Sequence, residues 1–145
     1  MKEIDALVEE GVEIIALDAT DRLRPDGETI REAFLKIREK YPHQLFMADC
    51  STFTEAETAE ALGFDFLGIT LAGYTDYTKE RQLPDVSLME EIVTKLHTPL
   101  IAEGGSSTPE ELEIVMQSGT FSAVVGSAIT RPLEITKRFM EAVKK

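Results

Sequence analysis

The residues best able to do chemistry stand at the ends of short apolar runs. Asp18 follows Glu13-Ile14-Ile15-Ala16-Leu17 and leads into Ala19-Thr20-Asp21-Arg22. Asp49 follows Gln44-Leu45-Phe46-Met47-Ala48 and leads into Cys50-Ser51. Glu103 ends Pro99-Leu100-Ile101-Ala102-Glu103 and leads into Gly104-Gly105-Ser106-Ser107. Carboxylates so placed could bind hydroxyl groups or position a proton transfer. The competing reading is that each caps the helix that follows, a common use of Asp. For Glu103 that reading is weaker, because Thr108 is the better cap.

Two further run ends are rich in small residues. Gly104-Gly105-Ser106-Ser107 and Gly126-Ser127 let backbone N–H groups approach an anion, and a helix start adds partial positive charge. Arg131 supplies a possible counter-charge. Otherwise these are ordinary turns and Arg131 is a surface residue. Cys50 reads as a packed neighbour of Asp49, since no histidine is near it in sequence. His97 reads as a helix-end residue and His43 as a solvated loop residue. Tyr74 and Tyr77 lie in the long segment 72–84, where they either shape a pocket or pack the loop down.

The elements that position these groups alternate. Five apolar runs read as buried strands: 13–17, 44–48, 66–71, 99–103 and 123–125. Their near-continuous apolarity is that of parallel strands covered on both faces. Helical periodicity fills 2–10, 28–41, 54–62, 86–96, 109–117 and 133–143. Thr54 and Glu57 have capping-box spacing, and Thr108-Pro109 is an N-cap with proline at the first helical position. Ile135, Phe139 and Val143 form the inward stripe of the last helix. Gly11, Gly63 and Gly119 each stop a helix shortly before a strand. Strand and helix in strict alternation predict a single-domain α/β fold with a parallel sheet over residues 1–145. Pattern alone favours a flavodoxin-like open sheet over part of a (β/α)8 barrel, because a whole barrel needs eight strands.

Composition narrows the partners. The 145 residues carry 15 Lys+Arg against 27 Asp+Glu, a net charge of −12, which disfavours nucleic acid and anionic membrane surfaces. No apolar run reaches the ~20 residues of a membrane span. The acidic start, Met1-Lys2-Glu3-Ile4-Asp5, does not read as a signal peptide. One cysteine and two histidines argue for a reducing cytoplasm and against a zinc site, and no cofactor is expected.

With these residues in place, the chain resembles the N-acetylmannosamine-6-phosphate 2-epimerases of bacterial sialic-acid catabolism. The likeness rests on Ile14-Ile15-Ala16-Leu17-Asp18-Ala19-Thr20 with Arg24-Pro25-Asp26-Gly27, on Met47-Ala48-Asp49, and on Thr70-Leu71-Ala72-Gly73-Tyr74-Thr75. It continues through Ile101-Ala102-Glu103-Gly104 and Val124-Val125-Gly126-Ser127-Ala128-Ile129-Thr130-Arg131-Pro132. It implies a (β/α)8 TIM barrel of which this chain holds strands four to eight, opening in the third barrel helix. It implies interconversion of N-acetylmannosamine 6-phosphate and N-acetylglucosamine 6-phosphate by deprotonation and reprotonation at C2. Glu103 and Asp49 would be catalytic. Asp18, Tyr74, Gly104, Gly105, Gly126, Ser127 and Arg131 would hold the phosphorylated amino sugar.

Two departures accompany the likeness. The family's catalytic lysine lies on the third barrel strand, in a Lys-Arg segment, and nothing in these residues matches it. Gly105 stands where many members carry a larger polar residue. The isolated chain is therefore expected to be weak or inactive. Alternatives are a phosphosugar-binding remnant, or a half-barrel completed by a homo-oligomer or by a separate N-terminal half.

Overall fold

Helix starts organise this fold, and threonine caps three of them. A computed structural model describes residues 1–143. Thr29, Thr52 and Thr108 each accept a backbone N–H from the residue three positions on, and Glu32, Glu55 and Glu111 return the bond. These capping boxes, each worth about 1 kcal/mol, open α2 (Ile30–Lys40), α3 (Phe53–Leu62) and α5 (Pro109–Gln117). Asp85 caps α4 (Val86–Lys95), and α1 spans Lys2–Glu9. The pair expected to box α3, Thr54 and Glu57, does not do so. The helix begins one residue earlier, because Thr52 is extended and Glu55 reaches back to it. Gly11, Gly63 and Gly119 all have positive φ, as their places behind helices require.

The strands are β1 (Ile14–Asp18), β2 (Leu45–Asp49), β3 (Phe66–Gly68), β4 (Leu100–Glu103) and β5 (Ser122–Val124). They form one parallel sheet in the order β1-β2-β3-β4-β5. Each strand lies beside the one before it in sequence, with no switch point. This overturns the flavodoxin-like expectation, since a doubly wound sheet reverses its strand order. β3 is also shorter than expected: past Gly68 the chain turns, and the Ala72 N–H donates to the Ile69 carbonyl.

Register divides the sheet into two unlike faces. Ile15, Phe46, Ala48, Leu67, Leu100 and Ala102 are buried on one face, against the buried residues Phe34, Ile37, Ala56, Ala59, Leu88, Ile92 and Val115 of the helices. Phe34 stacks on Phe64 at 3.7 Å and meets Phe46 edge-on at 5.6 Å. The opposite face carries Ile14, Leu45, Met47, Phe66, Ile101 and Val124, paired across the strands by register. It was expected to be covered. Among the described residues it is open, with Ile14 at 38%, Leu45 at 40% and Val124 at 43% exposure.

After β5 the chain forms a one-turn helix, α6 (Ser127–Thr130), then α7 (Pro132–Val143). The inward stripe expected on α7 is not found. Ile135 is half-buried, and Phe139 and Val143 are 74% and 71% exposed, because α7 packs chiefly on α6.

Candidate active site

The register that leaves one face open also places the carboxylates. Asp18 pairs with Asp49, Asp49 with Gly68, and Glu103 with Val124, so all three acids lie at C-terminal strand ends on the open face. None caps a helix, which favours the chemical reading of these acids over the capping one.

Each acid has a different setting. Asp18 accepts from the Thr20 N–H at 2.9 Å, from the Thr20 hydroxyl at 2.6 Å and from Arg22 at 2.7 Å, with Arg24 at 3.6 Å. Burial pushes its carboxyl up, but the Thr20 hydrogen bonds and the two guanidinium groups outweigh that and hold it below the usual range. Asp49 has no such cation. Burial raises it, the Thr70 hydrogen bond opposes, and the charges of Glu103 and Asp18 raise it further. Thr70 Oγ1 lies 2.7 Å from Asp49 and 3.2 Å from Glu103. Gly68 makes room for that bridge: a Cβ there would sit 3.2 Å from Asp49 Oδ1 and 3.3 Å from Thr70 Oγ1.

Glu103 and Thr70 open onto a cleft of about 600 Å³. Its other walls include Tyr74, the turn Gly104–Ser107 and the segment Gly126–Ala128. Among the described residues, the backbone N–H groups of Gly105, Ser106, Gly126 and Ser127 have no protein acceptor. Such groups converging on a cleft suit an anion. The Ser107 N–H and hydroxyl are not free, being bound to Glu111 at 2.7 and 2.8 Å.

The cation at this cleft is one that sequence reasoning missed. Arg138 of α7 lines it and donates to the carbonyls of Ala128, at 2.7 Å, and Ser107. It ties the two turns together. Arg131 is exposed, one residue beyond α6, and is not among the lining residues. Arg138 gave no sequence signal, because it sits six residues past the last motif and reaches the cleft only through the placement of α7. Thr70 belongs to a motif but did not stand out there, since its value lies in cross-strand geometry.

The flanking loops are tightly held. Glu55 is 1% exposed. It accepts from the N–H groups of Asp21, Ser51 and Thr52, from the Ser51 hydroxyl and from the Tyr77 hydroxyl. Tyr77 therefore packs its loop down, while Tyr74, 66% exposed, lines the cleft. Gly105 has φ +85°, and a Cβ there would lie 2.4 Å from Leu83 Cβ, so the loop before α4 seats directly on it. Cys50 is fully buried and burial pushes its thiol up, as suits a packed residue. His43 and His97 are exposed.

With this geometry in view, comparison with known proteins places the chain. The family described as "Putative N-acetylmannosamine-6-phosphate epimerase" matches residues 1–145. The chain belongs to this epimerase family. A relative from Caldanaerobacter subterraneus subsp. tengcongensis, named "Putative N-acetylmannosamine-6-phosphate 2-epimerase", is 47% identical over 145 residues, covering 100% of this chain and 61% of the relative. A Listeria welshimeri relative of the same name is 46% identical over 146 residues, covering 99% of this chain and 62% of its own length. Among solved structures, the N-acetylmannosamine-6-phosphate 2-epimerase from Clostridium perfringens superposes with a TM-score of 0.89 at 48% identity. That match covers 99% of this chain and 62% of the Clostridium chain. A thiamine phosphate pyrophosphorylase from Pyrococcus furiosus, at TM-score 0.64 and 19% identity, covering 97% of this chain and 66% of its own, shares the fold. The chain thus spans about three fifths of the length of the curated epimerase relatives it matches. Among the described residues, no helix is long and apolar enough to cross a membrane.

Proposed function

We propose that the chain supplies the fourth to eighth strands of a (β/α)8 barrel, and that the completed barrel interconverts N-acetylmannosamine 6-phosphate and N-acetylglucosamine 6-phosphate. Sequential parallel strand order, an open apolar sheet face and three-fifths coverage of the epimerase relatives support the barrel. The first three strands of the barrel are the occupant of that open face.

One observation carries the function: a single cleft joins a carboxylate pair to an anion cradle. Glu103 and Thr70 stand on one side, with Asp49 behind Thr70. Free N–H groups and Arg138 stand on the other. Inverting C2 of a sugar means taking a proton from a carbon next to C1. In the open-chain form C1 is an aldehyde, so the resulting anion spreads onto oxygen. The site must open the ring, remove and return a proton, and hold the phosphate still.

Glu103 and Asp49 take the proton-handling roles on the sugar. Gly104, Gly105, Gly126 and Ser127 hold the phosphate, with Arg138 bracing their loops and Arg131 as a further cation. Asp18 and Tyr74 line the sugar's path. The lysine base implied by the family likeness comes from the third barrel strand, outside these 145 residues. Among the described lysines none ends a strand: Lys2, Lys36, Lys40, Lys95 and Lys137 are helical and Lys79 is in a loop.

Calorimetric titration tests the cleft. The chain is expected to bind N-acetylmannosamine 6-phosphate at least tenfold more tightly than the unphosphorylated sugar. Equal affinity for the two, or no binding of either, contradicts the assignment.

A further inference from the structure

We propose that Thr70 is a positioning residue of this site: its hydroxyl ties Asp49 to Glu103 and lets the two carboxyl groups hold one proton between them. The role in catalysis rests on the epimerase reading; the shared proton does not.

Hydrogens are limiting at this bridge. Thr70 Oγ1 lies 2.7 Å from Asp49 Oδ1 and 3.2 Å from Glu103 Oε2. A hydroxyl has a single hydrogen to donate. With both acids ionised it can serve only one, and the other carboxylate faces its lone pairs. With one acid protonated, both contacts become hydrogen bonds in a chain. One carboxyl donates to Thr70, and Thr70 donates to the other carboxylate. Passing the proton along that chain is balanced, since Thr70 receives one hydrogen as it gives one up.

The surroundings favour the shared state. Asp18 of β1 faces Asp49 as a third acid, and its charge is met by Arg22 and Arg24. On the helix side stand the neutral Cys50 thiol and Glu55, the latter committed to its own five donors. At the cleft, Glu134 and Arg138 lie on α7. The Arg22 and Arg24 guanidinium groups are thus committed to Asp18 and that of Arg138 to the Ser107 and Ala128 carbonyls, so among the described residues none is bound to the Asp49–Glu103 pair, which relieves its repulsion with a proton. Gly68 keeps the passage clear between Asp49 and Thr70. For an epimerase the arrangement is useful. With the lysine acting at C2, ring opening and closure still move protons on and off the sugar oxygens, and a pair holding one proton can both give and take. Only Thr70 and Glu103 of the three reach the cleft, so Asp49 acts through Thr70.

Carboxyl carbon NMR titration of the full 145-residue chain, without substrate, tests this, with Asp49→Asn assigning the Asp49 signal. A shared proton is stabilised by two hydrogen bonds and the fully ionised pair by one. Thr70→Val therefore lowers the Asp49 midpoint by about one pH unit, tenfold in proton affinity, and Thr70→Ser restores it. If Thr70 merely donates to an ionised Asp49, Thr70→Val raises that midpoint instead. A rise, or no change, overturns the proposal. Should the valine variant not fold, Thr70→Ala serves: the Asp49 midpoint falls if the proton is shared, and a rise or no change overturns it. Phosphosugar calorimetry reads the epimerase assignment separately, so the two can fail independently.

Discussion

At the scale of single residues, the chain's most heavily used carboxylate is not one of its strand-end acids. Glu55 collects five donors from three segments: the loop after β1, the start of α3 and the loop before α4. Glu55→Gln turns one acceptor oxygen into an amide donor, and either orientation aims it at N–H or O–H groups. The expected cost is about 2 kcal/mol. The pH dependence has a definite sign. Burial pushes the Glu55 carboxyl up, but the Tyr77 and Ser51 bonds and the backbone N–H groups outweigh it, leaving it below the usual range. Its stabilisation is therefore present above the ordinary glutamate range and is lost as pH falls through that range toward its lower folded value. Calorimetric melting between pH 7 and pH 4 should show the parent chain losing more stability than Glu55→Gln. Parallel curves would contradict this. Glu55 was invisible in the sequence because a buried acid and a surface acid look alike there; only the loops around it reveal its use. Asp18, Asp49 and Glu103 were legible because an acid directly after an apolar run marks a C-terminal strand end, where α/β folds gather their polar chemistry.

At the scale of elements, alternation, strand positions and every helix but the one-turn α6 were legible, and precise starts less so. Thr52 and Thr54 both precede a glutamate by three residues, so spacing could not choose between them. Backbone geometry does: Thr52 is extended and Thr54 lies inside the helix. Thr52→Ala should cost about 1 kcal/mol in denaturant unfolding, and Thr54→Ala a few tenths. Equal costs would contradict the capping assignment. The burial of α7 was misread for a different reason. Its amphipathic period is real, but the period reports an apolar stripe and not what lies beneath it. The same holds for the strands. Their apolarity on both sides is real, but among the described residues only one face is covered.

At the scale of the whole molecule, strand order is the decisive feature. Sequential parallel pairing, one covered face and one open face support the proposed section of a closed barrel. The net charge of −12 does not oppose an anionic ligand here, because the proposed cradle is built from local N–H groups and Arg138. We propose that this chain holds the carboxylates and the phosphate cradle of an epimerase whose lysine lies elsewhere in the barrel. It is tested most directly by following deuterium entry at C2 of N-acetylmannosamine 6-phosphate in heavy water. The chain is assayed alone, and fused to the part of the Clostridium perfringens relative that lies outside the match. Exchange with the fusion and not with the chain alone is the predicted result; exchange by the chain alone, or by neither, would contradict it.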